Sequence, residues 1–290
     1  MVASFTKRIL RINLTLAQGT FDTGKNSLTL QGFRAEAIVK KSGADSKNCC
    51  TLKIYGMSQA HMDSLTTLPS QSKQELAAFN NLVQVLAGDS ISGQFSLVFE
   101  GNIVTASASY QSPPNLVFKI DAVEGYYSAL APASPISIFG TVPAVQAFQQ
   151  IASIMGKPLE NSGVTRTVSN VYLQGTSYEQ LQTLGVATDT KVGMDNGVVF
   201  IVPKGDGRSG TVPLVSPQTG MKEFPVLDKE GIKFETLYNP LIKFNSAVQV
   251  QSSVKNVSGV WIVHDLETHL ESENPSGKWI SKCSAALPGN

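Results

Sequence analysis

Period-two alternation, in short segments set apart by turn residues, is the feature that most limits what this chain can fold into. In the opening segment Ile12, Leu14 and Leu16 fall on one face and Arg11, Asn13 and Thr15 on the other, the pattern of a strand buried on one side. A second alternating run extends from Leu28 to Val39, and a third from Thr51 to Tyr55 places Leu52 and Ile54 together. Ser58 is placed to cap a short helix, with Met62, Leu65 and Leu68 at helical spacing before Pro69. Strands resume at Leu82 to Ala87, Gln94 to Thr105 and Leu116 to Val123. They are separated by Gly88-Asp89 and by Pro113-Pro114, a pair that cannot serve a central ladder.

The period changes after the Pro- and Ala-rich stretch Ala131 to Pro135. Val145, Phe148, Ile151, Ala152 and Met155 recur as one helical face ending at Gly156. A second capped helix begins at Ser177 or just before it, and Asn196-Gly197 predicts a tight hairpin turn before Val198 to Val202. Lys204 to Gln218 reads as loop. Strands then return at Ile232 to Leu237, Ala247 to Ser252, Val260 to Leu270 and Trp279 to Ala285. The resulting expectation is a mostly β, α+β protein in three parts: a first β domain with one short helix over 1–130, a small α/β module over 131–204, and a second β domain over 205–290.

Charge narrows the function. The 23 basic and 22 acidic residues leave a formal charge of +1, so no global cationic excess is available to neutralise phosphates, and specific nucleic acid binding is disfavoured. Charged residues make up 16%, against about a quarter in ordinary domains, which fits a surface largely covered by partners. Met1 to Lys7 lack the form of a leader and no run is apolar enough to span a bilayer, so a soluble protein made in the cytosol, with no membrane insertion, is expected. Cys49, Cys50 and Cys283 have the spacing of neither a disulfide framework nor a zinc site and read as reduced, packed thiols.

No catalytic, cofactor-binding or metal-binding residues are expected. Gly19 to Lys25 nearly matches a phosphate-cradling loop, but the next residue is Asn26 and a strand follows where a helix N-terminus is needed, so it reads as a hairpin turn. Gly205 to Gly210 fits the dinucleotide fingerprint letter for letter, yet leads into Thr211-Val212-Pro213 and reads as a flexible connector. His264 and His269 lie five apart in a strand whose Val260, Ile262, Leu266 and Leu270 share a face, which points the imidazoles apart. His61 has no nucleophile elbow beside it. Glu267, Glu271 and Glu273 read as one outer strand face rather than two carboxylates flanking a cleft. The triplets Asn13-Leu-Thr15 and Asn256-Val-Ser258 are glycosylation sites in form only.

Several phrases, in their order along the chain, resemble the baseplate hub proteins of contractile-tailed bacteriophages, the family related to the spike base of type VI secretion systems. They are Leu52-Lys53-Ile54-Tyr55-Gly56-Met57-Ser58, Val98-Phe99-Glu100-Gly101-Asn102-Ile103, Tyr172-Leu173-Gln174-Gly175-Thr176, Leu237-Tyr238-Asn239-Pro240, and Gly259-Val260-Trp261-Ile262-Val263 with Gly277-Lys278-Trp279. The resemblance implies two tail-tube-like β-barrel domains with the α/β module between them. It also implies a non-enzymatic homotrimer without cofactors, forming a pseudo-sixfold ring that joins the tail tube, or a tube-adaptor protein, to a central spike. Other baseplate proteins would be further partners, and the place would be the virion tail baseplate, assembled in the host cytoplasm. The spike is expected to be a separate polypeptide, since this chain shows no appended lysozyme-like or needle-like region. Low-charge strands would form the edges between subunits, and Arg11, Asn13 and Thr15 would line the lumen through which the genome passes.

Two other readings compete. A β-rich tail fibre or glycan-binding module would expose an aromatic platform, with Trp261 and Trp279 as candidates. A cell-wall hydrolase would depend on Glu267 or Glu271.

Overall fold

The computed structural model describes residues 6–42, 47–66, 80–110 and 116–289. The predicted helix contact Leu68, with Pro69 and the Pro113-Pro114 pair, lies outside them. The chain divides into two compact units, the first drawn from 1–41, 47–124 and 267–281 and the second from 42–46, 125–266 and 282–290.

In the first unit the alternating segments become β1 (Arg8–Thr15), β2 (Ser27–Gln31), β3 (Ala35–Ser42) and β4 (Cys49–Tyr55). Helix α1 (Gln59–Leu65) follows, then β5 (Leu82–Asp89), β6 (Phe95–Ser109) and β7 (Val117–Val123). They pair antiparallel in the order β3-β4-β7-β6-β5-β1-β2. The pleat sends one residue in two inward: Leu10, Ile12 and Leu14 of β1, Leu52 and Ile54 of β4, Val83 and Val85 of β5, and Phe118 and Ile120 of β7 are buried. Met62 and Leu65 are the buried residues of α1, and the Ser58 hydroxyl caps it by accepting from the His61 amide. The expected single run from Leu28 to Val39 is two strands, because Gly32 at φ +81° turns the chain between β2 and β3, which are not neighbours. Bulges in β6 shift its register against β5 at Val85/Leu86 and against β7 at Ile103/Thr105.

The second unit holds α2 (Tyr126–Leu130), β8 (Ile136–Pro143), α3 (Ala144–Ile154), β9 (Leu159–Asn161), β10 (Thr167–Leu173), α4 (Ser177–Ala187), β11 (Thr190–Asp195) and β12 (Val198–Pro203). After these come β13 (Leu214–Val215), β14 (Val226–Asp228), β15 (Gly231–Leu237), β16 (Ala247–Val250), β17 (Gly259–Ser272) and β18 (Trp279–Ala286). One core gathers Phe148 and Ile151 of α3, Leu181 and Leu184 of α4, and Val199 and Ile201 of β12. Thr176 and Glu179 form a reciprocal capping box at α4. Asn196 (φ +55°) and Gly197 (φ +78°) make the predicted tight turn between β11 and β12. β8 and β10 form a separate antiparallel ribbon. A second core collects Ile232, Phe234, Val248, Trp261, Val263 and Cys283, inside a sheet ordered β14-β15-β18-β17-β16-β13. Residues 267–272 of β17 and 279–281 of β18 belong to the first unit, whose sheet they extend beyond β3.

The mostly β, α+β class is what the structure has, built on antiparallel sheets. The sheets do not close into barrels: closure requires the first and last strands to pair, and among the described residues β2 has β1 as its sole neighbour and β14 has only β15. β17 also departs from its predicted single face. Trp261 and Val263 are buried, then Leu266 and Leu270, so the alternation slips by one residue around His264-Asp265 and leaves Val260 exposed.

Candidate functional site

For a protein built this way the chemistry of interest lies on strand faces and edges. On β1 the side opposite the core carries Arg11, Asn13 and Thr15, all partly exposed. Thr29 Oγ1 donates to Asn13 Oδ1 (2.9 Å), Asn13 Nδ2 to Gln84 Oε1 (3.3 Å) and Gln84 Nε2 to Glu100 Oε2 (2.9 Å), a polar chain across β2, β1, β5 and β6. Arg11 donates from Nε to Gln31 Oε1 (2.8 Å), and its guanidinium lies 3.8 Å from the Phe95 ring centroid.

The same face continues across the sheet. Asp121 accepts from Thr51 (2.8 Å) and Thr105 (3.1 Å) and pairs with Lys119 (2.8 Å). Burial alone raises the Asp121 pKa, but the bonds from Lys119, Thr51 and Thr105 prevail and hold it below the ordinary aspartate range. Glu36 pairs with Lys53 (3.0 Å) and His269 (3.1 Å), and His269 also reaches Glu271 (3.6 Å). Glu267 meets Lys40 at 3.3 Å, while Glu273 meets Lys7 at 2.6 Å. Glu273 lies past the end of β17 at φ +53°, and so does not share the strand face of the other two. Charges of both signs pair with one another on this face.

The remaining sequence candidates fall into structural places. The Gly19 to Asn26 segment is the β1–β2 turn, closed by Phe21 N to Lys25 O (2.8 Å) and Leu16 N to Asn26 O (2.8 Å). His61 fastens it through Asp22 (2.9 Å) and an edge contact with Phe21. His264 contacts Asp265 instead (3.1 Å). Among the described residues no group of His, Cys, Asp and Glu is arranged to hold a metal, and no helix is long and apolar enough to cross a membrane. Cys50 and Cys283 are buried, which drives their thiol pKa values far up. Trp261 is buried with Nε1 donating to Val257 O (2.9 Å), and Trp279 is buried beneath Arg8, so neither offers a platform. The exposed rings of the described residues include Phe139 (89%) and Tyr172 (63%), on a β8–β10 ribbon without a charged residue, besides Tyr110 and Phe224.

One cluster was invisible in the sequence. Gly205 to Gly210, expected as a flexible connector, is pinned by Arg208, whose side chain is only 4% exposed. Its guanidinium donates to Glu160 of β9 (2.9 and 2.7 Å), to Asp195 of β11 (2.5 Å) and to Phe244 O (3.3 Å). A buried guanidinium needs its donors satisfied, and this need orders a segment whose glycines alone would leave it loose. Hydrogen bonds from Arg208 hold the Glu160 carboxyl below the ordinary glutamate range, against desolvation, which raises it. A depressed carboxyl pKa stabilises the fold above the unfolded value, about 4.3, and that contribution disappears as pH falls through the folded value. Melting temperature is therefore expected to drop below about pH 4.5, with Glu160→Gln showing a lower neutral plateau and a shallower acid limb. Identical acid limbs in thermal melts of the two proteins would remove Glu160 from the linkage.

The fold defined by these sheets is that of phage tail proteins. The 43 kDa tail protein of prophage MuSo2 from Shewanella oneidensis matches with a TM-score of 0.62 at 11% identity, covering 98% of this chain and 97% of that one. The tail protein from Neisseria meningitidis MC58 matches with 0.62 at 8% identity, covering 97% of each chain. The E. coli c3393 protein, a component of the type VI secretion system with structural similarity to T4 bacteriophage tail proteins gp27 and gp5, matches with 0.55 at 7% identity over 87% of this chain and 73% of its own. At such identities the likeness is one of fold. No curated protein matches the sequence. The family model Baseplate hub gp41 matches residues 9–283, and the chain belongs to that family of structural baseplate proteins, which gives it a structural role in a phage tail.

Proposed function

We propose that this chain is the hub subunit of a contractile tail baseplate, assembling as a homotrimer whose pseudo-sixfold ring joins the tail tube, directly or through an adaptor, to a central spike. The family match over residues 9–283 carries this reading. Its action is mechanical rather than catalytic: the ring transmits position and symmetry, and the genome leaves through its lumen. Arg11, Asn13 and Thr15 belong to the lumen wall in this proposal, supported by their place on a continuous polar face with mutually paired charges. Other baseplate proteins cover the remaining low-charge surface. The module over 131–204 acts as a separate piece, between the β parts over 1–130 and 205–290 in the sequence, supported by its own core around Phe148 and Leu181.

The test is the mass in solution by light scattering over a range of concentrations. A particle of three times the 31.0 kDa chain is expected. A protein that stays monomeric at every concentration, and also with purified tube and spike proteins present, would overturn the ring.

A further inference from the structure

Gly205-Asp206-Gly207-Arg208-Ser209-Gly210 packs three glycines into six residues, with Gly205 at φ +89° and Gly210 at φ +146°. It links the core around Phe148, Leu181 and Val199 to the core around Val248, Trp261 and Val263. Glycine loses the most conformational freedom on ordering, so something must hold this link still. The fork of Arg208 onto Glu160 and Asp195 does so, helped by Ser209, whose amide and hydroxyl both donate to Ser162 Oγ at 3.1 Å. On the far side Arg208 N donates to Asn245 O (2.6 Å).

The locked arrangement is not free of cost. Asn245 sits at φ +57°, and its Nδ2 is buried without a hydrogen-bond partner. A cavity of about 80 Å³, bounded by Glu160, Arg208, Gly210, Thr211, Lys243 and Ser246, adjoins the fork. We infer that residues 204–211 are a hinge locked by Arg208. With the guanidinium seated, the α/β part and the β part that follows it move as one; with it withdrawn, the glycines let them reorient. The device is independent of the ring reading and needs only the residues of one subunit.

Hydrogen exchange read by mass spectrometry tests it on the full chain. In Arg208→Gln, amides of 204–211 are expected to exchange about tenfold faster or more, while α3, α4 and β17 keep wild-type protection. Unchanged exchange in 204–211 would show that the connector is rigid without its pin, and protection lost equally in all these elements would reduce Arg208 to a core residue; either result overturns the hinge. If Arg208→Gln does not fold, Glu160→Gln removes the outer half of the fork. A rise confined to 204–211 then supports the lock, and no rise overturns it.

Discussion

A methyl group at position 231 is expected to destabilise the protein by about 3–5 kcal/mol, as two separate costs add. Gly231 opens β15 at φ +142°, a backbone conformation that L side chains rarely adopt. A Cβ there would also press into the Ala285 carbonyl oxygen, with Ala285 C and Ala286 Cα at 3.0 Å. Both obstacles are backbone of β18, so no rotamer change relieves them. Glycine in a strand marks such close approaches. Urea unfolding at neutral pH, followed through Trp261 and Trp279, measures the loss in Gly231→Ala. Gly19→Ala is the control: its φ is +79° but nothing lies within 4 Å of the new methyl, so only the backbone cost of about 1–2 kcal/mol applies. Equal losses at the two positions would show that crowding against β18 contributes nothing.

What the sequence disclosed follows the reach of each interaction. β1 was legible because Ile12, Leu14 and Leu16 alternate against polar neighbours, and α3 because its apolar residues return every three or four positions. The β11–β12 turn was legible in Asn196-Gly197 alone. These signals are local. The β8–β10 ribbon was missed because its charge-free strands are cut by a bulge at Asn170 and by Gly140, which blur the alternation. The sequence of β17 predicts one continuous face because a one-residue slip leaves no mark in composition. Arg208 is the clearest failure: its partners lie 48 and 13 residues back, and a run of glycines reads as loose until the buried cation inside it is seen. The open ends of the sheets were hidden for the same reason, since closure depends on which strands meet and not on what each contains.

Those open ends give the assembly reading its sharpest test. The bond from Leu16 N to Asn26 O fixes the phase of the β1–β2 ladder, because hydrogen-bonded and non-hydrogen-bonded pairs alternate in antiparallel strands. The pairs Thr15/Ser27, Asn13/Thr29 and Arg11/Gln31 are then the non-hydrogen-bonded ones. The amides of Ser27, Thr29 and Gln31 therefore point away from β1, toward an edge that no described strand covers. Natural edges are usually blunted by charge, proline or bulges. β14 follows this practice, with Pro225 before it and Lys229-Glu230 after it, whereas Ser27 to Gln31 contains no charge and no proline.

If β2 is where neighbouring subunits add their strands, Thr29→Pro deletes the central outward donor and is expected to abolish self-assembly while the subunit stays folded. The substitution also loses the Thr29 to Asn13 hydrogen bond, worth about 1 kcal/mol. Thr29→Val loses that bond too but keeps the outward amide, so it separates edge blocking from destabilisation. Light scattering and circular dichroism on both variants decide the matter: a folded monomer for proline and a wild-type oligomer for valine are expected. An oligomer that survives Thr29→Pro would move the assembly edge off β2 and make the charge-free β8–β10 ribbon, with Phe139 and Tyr172 turned outward, the next edge to block.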